Sequence, residues 1–114
     1  MHILTPTADG SNTLFNEEIG EHYHSSHGAL QESKHVFIEA GLRFSLEKLN
    51  TSTIDILEVG FGTGLNFLLS YAHCEAAAKN LNYHAIEAFP LSQETLISTG
   101  YSQYVPNIIW ENFI

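Results

Sequence analysis

The sequence predicts an α/β fold with a parallel sheet, and three observations support this. From residue 33 onward, helical and strand patterns alternate in the order helix, strand, helix, strand, helix. A glycine-rich segment at residues 60–64 lies between the first of these strands and the helix that follows. The chain has 114 residues, of which 44% are hydrophobic, which suffices for one core and excludes two domains.

The first 32 residues are predicted to form a β-hairpin followed by a loop. Residues 3–7 and 13–15 are β-prone, and the Asp-Gly pair at 9–10 between them is typical of a hairpin turn. Residues 16–31 are polar and show no sustained period, which indicates an ordered loop. We therefore interpret residues 1–32 as an extension that precedes the main domain.

Residues 33–49 are predicted to form a helix, because apolar side chains recur there at helical spacing. Ser33 is a candidate N-cap for this helix. The predicted buried face consists of Ile38, Leu42, Leu46 and Leu49.

A β-α-β unit follows. Residues 54–59 are rich in β-branched side chains and end on a glycine, which predicts a buried strand. The next helix is expected to end near Asn80, with a buried stripe of Leu65, Leu68, Leu69, Ala72 and Ala76. Residues 81–89 are the second strand candidate.

The last segment carries weaker signals. Pro90 suits the first turn of a helix that runs to about Thr99, and residues 108–110 are a further strand candidate. A doubly wound sheet with a formed crevice needs roughly five strands, which residues 33–114 do not supply. We therefore expect an incomplete sheet, a truncated domain over residues 33–114, and self-association through its exposed edges.

Composition limits the partners and the compartment. Thirteen acidic and four basic residues give a net charge of −9, which makes this chain alone a poor binder of nucleic acid. The single Cys74 cannot form an internal disulfide, which favours a reducing, cytoplasmic compartment. The N-terminus lacks a signal-peptide pattern, and the chain lacks a long apolar run, so we expect no membrane association.

The glycine segment is the strongest functional signal. Gly60 permits a tight turn off the strand, Gly62 permits a ligand to approach the backbone, and Gly64 permits close packing of the helix. Glu87 lies 23 residues after Gly64, near the end of the second strand, where a carboxylate can accept hydrogen bonds from ribose hydroxyls. The alternatives are a turn without a ligand and a solvated Glu87.

The spacing of the glycines argues against a dinucleotide site. The dinucleotide pattern places glycines at relative positions 1, 3 and 6, whereas here they occupy positions 1, 3 and 5. Glycines at every second position, with Glu58 two residues before the first, resemble motif I of the class I methyltransferases that use S-adenosylmethionine. A carboxylate is better tolerated beside the sulfonium of that cofactor than beside phosphates.

Longer runs carry a narrower resemblance. Residues 57–67 read Leu-Glu-Val-Gly-Phe-Gly-Thr-Gly-Leu-Asn-Phe and residues 87–91 read Glu-Ala-Phe-Pro-Leu. Together with the runs at 9–14, 23–25 and 31–38, they resemble the N-terminal portion of the MnmC-type tRNA 5-methylaminomethyl-2-thiouridine methyltransferase domain. The resemblance implies a Rossmann-like fold and methyl transfer from S-adenosylmethionine to the exocyclic amine of 5-aminomethyluridine at the tRNA wobble position.

The resemblance also assigns roles to particular residues. It places the cofactor at Glu58, Gly60, Phe61, Gly62, Gly64 and Glu87, with Tyr23 and Ser25 in a loop that can fold over it. Packing is the alternative role for Tyr23. The Asp-Ala-Phe-x-Pro-type segment at the substrate side of the family does not occur here, so the catalytic residue is unassigned and we expect little activity from these 114 residues.

Two further hypotheses remain open at this point. His22, His24 and His27, with Glu18 and Glu21, are possible ligands of a transition metal. Their spacing matches no familiar zinc motif, so we interpret them as polar loop residues and expect no metal. In place of an enzyme, the chain can be a non-catalytic α/β fragment that binds a nucleoside cofactor or no ligand.

Overall fold

A computed structural model describes residues 1–114, which form two separate sheets and a set of helices. An antiparallel sheet contains β1 (His2–Pro6), β2 (Asn12–Asn16) and β3 (Glu21–His22), in that order. A parallel pair contains β4 (Thr53–Val59) and β5 (Asn80–Ile86). The mixed α/β class is therefore confirmed. None of the helices has the length and apolar composition of a membrane span.

The predicted hairpin is confirmed, but the loop that was expected after it is not entirely a loop. Strands β1 and β2 pair from His2 opposite Asn16 to Pro6 opposite Asn12. Residues 21–22 then add β3 to the free edge of β2. A strand of two exposed polar residues has no periodicity to detect, because its pairing rather than its pattern defines it.

A helical segment occupies residues 29–49 and begins earlier than predicted. It consists of α1 (Ala29–Glu32), a π-helical stretch (Ser33–Arg43) and α2 (Phe44–Leu49). Ser33 lies inside this segment with its side chain buried, so the prediction that it caps the helix is wrong. Ile38 and Leu42 are buried as expected, whereas Leu49 is 60% exposed.

The caps of this helical segment come from the β1–β2 turn. The N-cap residue itself is Gly28, which has no side chain to offer. The N–H of Ala29 donates to Thr7 Oγ1 at 3.0 Å, that of Leu30 to Ser11 Oγ at 2.9 Å, and that of Gln31 to Asp9 Oδ2 at 2.9 Å. These three hydrogen bonds satisfy backbone donors that a helix start otherwise leaves free, and they attach the N-terminal sheet to the helix.

Strands β4 and β5 are joined by α3 (Leu65–Ala76), as the β-α-β pattern predicts. Leu65, Leu68 and Leu69 of the predicted stripe are buried, but Ala76 is exposed. The helix stops at Ala76, and Asn80 is already the first residue of β5. The core consists of Ala29, Ile38, Leu42, Ile54, Leu65, Leu68, Leu69, Cys74, Tyr101, Val105 and Ile109.

Only one face of the parallel pair is covered, so the prediction that residues 54–59 form a buried strand is confirmed for that face and wrong for the other. Ile54 and Glu58 of β4 face the helices and are buried. Leu57 and Val59 point the other way and are 66% and 79% exposed, and Ile86, which pairs with Val59, is 59% exposed. Helices on both faces would bury such a strand, but here the helices pack on one side.

The regular elements of the C-terminal segment are all helical, and the first begins at Gln93 with Ser92 as its N-cap, so the prediction that Pro90 lies in its first turn is wrong. The segment contains α4 (Gln93–Ser98), a 3-10 turn (Tyr101–Tyr104) and α5 (Asn107–Phe113). The prediction of a strand at residues 108–110 is wrong, because Pro106 starts a helix there and Ile109 packs into the core. Tyr101 is fully buried and donates to the carbonyl of Asn12 at 2.6 Å, which attaches this segment to β2.

Candidate functional site

The glycine segment forms the predicted strand-to-helix turn. Strand β4 ends at Val59 and α3 begins at Leu65, so residues 60–64 make the whole connection. Gly60, Gly62 and Gly64 have φ values of +87°, +58° and +79°, which strain any residue with a Cβ. The prediction of a turn at the carboxyl end of β4 is confirmed.

A cavity of about 250 Å³ opens beside this turn. Its wall combines the turn, the first residues of α3, the start of the helical segment 29–49, and residues 23–24 of the N-terminal extension. Of the eight predicted cofactor residues, five line it: Tyr23, Glu58, Gly60, Phe61 and Gly62. Ser25, Gly64 and Glu87 lie outside its lining.

Glu58 is a buried carboxylate with two fixed partners. The Tyr83 hydroxyl donates to Glu58 Oε1 at 2.8 Å, and the Asn66 side-chain amide donates to Oε2 at 2.9 Å. Burial, followed by the hydrogen bond and the charge of Glu58, raises the pKa of Tyr83 well above its usual range, so this hydroxyl stays protonated as a donor. Because both oxygens are held, the carboxylate is fixed in orientation at the cavity wall.

Glu87 lies against the glycine turn rather than free in solvent. Its Oε1 accepts from the backbone N–H of Gly62 at 2.7 Å, and its Oε2 accepts from the N–H of Phe89 at 3.1 Å. A carboxylate has about four acceptor positions, so lone pairs remain on both oxygens. The structure therefore brings Glu87 and the turn together, as the prediction of a shared site requires.

The Tyr23 ring covers Gly62. A Cβ built at Gly62 would lie 3.1 Å from the Tyr23 ring, whereas a Cβ at Gly60 would meet nothing within 4 Å. The open approach that the sequence predicted at Gly62 is thus found at Gly60. The Tyr23 hydroxyl is hydrogen-bonded to His2 Nε2 at 3.0 Å, and burial, followed by the charge of Glu87, raises the pKa of Tyr23.

Gly64 and Ser25 have packing and turn roles in the structure. A Cβ at Gly64 would lie 2.8 Å from the Phe113 ring and 3.0 Å from the Phe61 ring, so this glycine lets α5 approach the turn. The Ser25 N–H donates to Glu32 Oε1 at 3.2 Å, and the Ser25 hydroxyl accepts from the N–H of His27 at 3.2 Å.

The histidine cluster does not converge, and no group of three His, Cys, Asp or Glu side chains comes together as a possible metal site. His22 packs against Phe15 of the N-terminal sheet. His24 instead faces the hydroxyls of Thr13 and Thr63, so it connects β2 to the glycine turn. Sequence spacing gave no signal for this role, because Thr63 lies 39 residues further along the chain.

The chain is thus an α/β protein in which a glycine turn joins a strand to a helix beside a cavity. A buried carboxylate, that of Glu58, lines this cavity. No protein-family model matches the chain. It is 37% identical over 87 residues to the tRNA 5-methylaminomethyl-2-thiouridine biosynthesis bifunctional protein MnmC of Burkholderia multivorans, and 33% identical over 87 residues to the same protein of Delftia acidovorans.

Each of these matches covers 74% of this chain and 13% of the relative. The crystal structure of MNMC2 from Aquifex aeolicus superposes with a TM-score of 0.72 at 33% identity, over 82% of this chain and 31% of that one. The chain thus spans a minor part of the length of the proteins it matches. The resemblance to MnmC-type proteins is confirmed.

Proposed function

We propose that the chain provides the cofactor site of an S-adenosylmethionine-dependent methyltransferase with a class I, Rossmann-like fold, which modifies tRNA. The observation that carries this proposal is that Glu58 and the glycine turn line one cavity, while Glu87 is hydrogen-bonded to the same turn at Gly62. The similarity to MnmC proteins supports the same assignment. The division into an extension at residues 1–32 and the first half of the methyltransferase domain at 33–114 belongs to this proposal.

The residues present fit the charge and shape of that cofactor. Glu58 supplies a buried negative charge, which suits a sulfonium or an ammonium group and disfavours a pyrophosphate. The absence of a Cβ at Gly60 leaves the turn open to a ligand. Glu87 has acceptor positions to spare for ribose hydroxyls. Tyr23 and Phe61 supply ring surface at the cavity.

When bound, S-adenosylmethionine supplies an electrophilic methyl group. The chain's own contribution is to hold that group in line with an incoming amine, which is a positioning task. We propose that Glu58, fixed by Tyr83 and Asn66, orients the charged end of the cofactor, and that Glu87 orients the sugar. We assign no residue of this chain to proton removal from the amine.

The tRNA substrate and the compartment complete the proposal. A net charge of −9 repels a phosphate backbone, so we infer that the parts of the longer relatives that this chain does not match carry the tRNA contacts. For the same reason we expect little methyl transfer from these 114 residues alone. We place the enzyme in the cytoplasm, where tRNA is modified.

A second candidate is a non-catalytic α/β unit that binds a nucleoside or no ligand. The observation in its favour is that the turn already has partners within the chain, since Tyr23 covers Gly62 and Glu87 takes the Gly62 N–H. Calorimetric titration with S-adenosylhomocysteine separates the two candidates. Saturable binding would support the cofactor site if Glu58→Gln weakens it and Asp55→Asn, a change on the exposed face of β4, leaves it unchanged. The absence of any heat of binding would contradict the cofactor site.

We also propose that the chain self-associates through the uncovered face of its parallel pair. Four large apolar side chains are exposed there or just after β5: Leu57, Val59, Ile86 and Phe89, at 59% to 80%. Size-exclusion chromatography with light scattering is the test. We expect the wild-type protein to have a mass above the 12.7 kDa of one chain, and Val59→Lys to reduce that mass. Ile19→Lys, which changes an exposed apolar residue outside that face, should leave the mass unchanged. A monomer at all micromolar concentrations contradicts this.

A further inference from the structure

His24 links two parts of the molecule that are far apart in sequence. The residue follows β3, and its half-buried ring lies between β2 and the glycine turn. Its Nδ1 is 2.9 Å from Thr13 Oγ1, and its Nε2 is 3.4 Å from Thr63 Oγ1. The Tyr101 ring packs edge-on against it at 6.4 Å between centroids. The imidazole is therefore held from three sides.

Both threonine hydroxyls belong to buried residues, and both contact the His24 ring. Thr13 is 0% exposed and Thr63 is 2% exposed, so neither has ready access to water. Thr13 Oγ1 also accepts from the backbone N–H of His24 at 3.0 Å, which fixes the position of that hydroxyl. A neutral imidazole has one donor and one acceptor nitrogen, and hydroxyls can fill either role, so one neutral ring satisfies both contacts.

We infer that His24 is a positioning residue for the glycine turn: through Thr63 it holds the backbone N–H groups of Gly62 and Gly64 in a fixed position relative to the N-terminal sheet. Thr63 lies between these two glycines, so its side chain is the only one in residues 62–64 that can be held from outside the turn. The consequence for ligand affinity rests on the proposed function, whereas the consequence for the turn does not.

The surroundings of the ring agree with a neutral form. Burial lowers the pKa of His24, and the charge of Glu32 opposes this shift. The other titratable side chain packed against the ring is Tyr101, whose pKa burial raises to about 12. Glu32 is thus the charged group that favours protonation of His24, and it lines the same cavity.

Two isosteric variants separate the two contacts. The amide of an asparagine at residue 24 lies near the position of Nδ1, whereas that of a glutamine reaches the position of Nε2. His24→Asn therefore keeps the contact with Thr13 and loses that with Thr63, and His24→Gln does the reverse. Thr63→Val removes the same contact from the other side, and His22→Asn is a control at a histidine that packs on Phe15.

The first measurement is the backbone amide spectrum of unliganded protein labelled with ¹⁵N. We expect His24→Asn and Thr63→Val to shift the Gly62 and Gly64 resonances, His24→Gln to leave them near their wild-type positions, and His22→Asn to have no effect. If His24→Asn does not fold, Thr63→Val is compared with Thr63→Ser, which keeps the hydroxyl and controls for a change at the residue adjacent to both glycines. Glycine resonances that are the same in His24→Asn and wild type, or in Thr63→Val and Thr63→Ser, would overturn the inference.

The second measurement is the affinity for S-adenosylhomocysteine. We expect His24→Asn and Thr63→Val each to weaken binding roughly 5-fold, which is the net value of about one hydrogen bond, and the double variant to be no weaker than either. Equal affinities for the Asn, Gln and wild-type proteins would count against the inference. If the wild-type protein does not bind this ligand, the proposed function fails, while the amide spectrum still decides the role of His24.

Discussion

Removing the Asp9 carboxylate should loosen the attachment of the N-terminal sheet to the helix at residue 29. The two Asp9 oxygens accept from the N–H of Ser11 at 3.0 Å and from the N–H of Gln31 at 2.9 Å, and also from the Ser11 hydroxyl at 2.5 Å. Asp9→Ala leaves those two backbone donors to water. The Ser11 hydroxyl, which caps Leu30, also loses its orienting acceptor.

The expected loss follows from the cap chemistry. Replacing a capping carboxylate by alanine costs about 0.5–2 kcal/mol, and because Asp9 also orients Ser11 we expect the upper half of that range, about 1–2 kcal/mol. For a domain of this size that corresponds to a decrease in Tm of roughly 5–10 °C. Asp9→Asn keeps one acceptor oxygen and should lose about half as much.

The ionisation of Asp9 also predicts how the free energy of unfolding depends on pH. Burial raises the pKa of Asp9, but the hydrogen bonds from Ser11, Gln31 and Thr7 outweigh it and lower the pKa from 3.8 to about 2. A depressed pKa in the folded state means that the stabilisation is complete above the unfolded value and is lost as the pH falls through the folded one. The stability difference between wild type and Asp9→Ala should therefore shrink between about pH 5 and pH 2.

Thermal unfolding monitored by circular dichroism measures both effects. Asp55→Ala is a suitable control, because it removes an exposed carboxylate that accepts only from the Asn82 side chain. A Tm for Asp9→Ala that equals the wild-type value at neutral pH would refute the capping argument. A difference that persists unchanged at the lowest pH would refute its assignment to the ionised carboxylate.

Three further predictions concern the site. Gly60→Ala should abolish binding of S-adenosylhomocysteine. The control Gly20→Ala, at a glycine with a similar positive φ and equally open surroundings, should lower stability but not affinity. Equal affinities of Gly60→Ala and wild-type protein would show that Gly60 is not part of the site. Glu87→Ala should weaken binding roughly 10- to 150-fold by calorimetry, and unchanged affinity would place the ribose elsewhere. Tyr83→Phe should cost about 1–3 kcal/mol in urea unfolding, because buried Glu58 loses a donor, and an unchanged midpoint would contradict this.

The parts of the fold that could be predicted are those that local sequence determines. The apolar period of residues 65–69 and the glycines that precede it define both the turn and the start of α3. The start of the helix at residue 29 could not be predicted, because its caps lie about twenty residues earlier, in the turn around Asp9. The burial of Leu57 depends on whether helices pack over its face, which its own segment does not encode.

The candidate site shows the same division. The proximity of Glu87 to the glycine turn could be predicted, since parallel strands bring their carboxyl ends to one edge. The position of Tyr23 over Gly62 could not, because it depends on how the N-terminal extension folds back across the turn. His24 was hidden for the same reason: its partners belong to β2 and to the turn, and neither is its neighbour in sequence.

The alternation along β4 ties the site to strand register. Even-numbered residues of this strand, such as Ile54 and Glu58, face the core and the cavity, whereas odd-numbered ones, such as Leu57, face solvent. A strand shifted by one residue exchanges its two faces. Deleting a single residue between Thr53 and Leu57 would therefore turn the Glu58 carboxylate out of the cavity or shift the glycine turn by one residue. This strand thus tolerates substitutions on its exposed face far more readily than any change in its length.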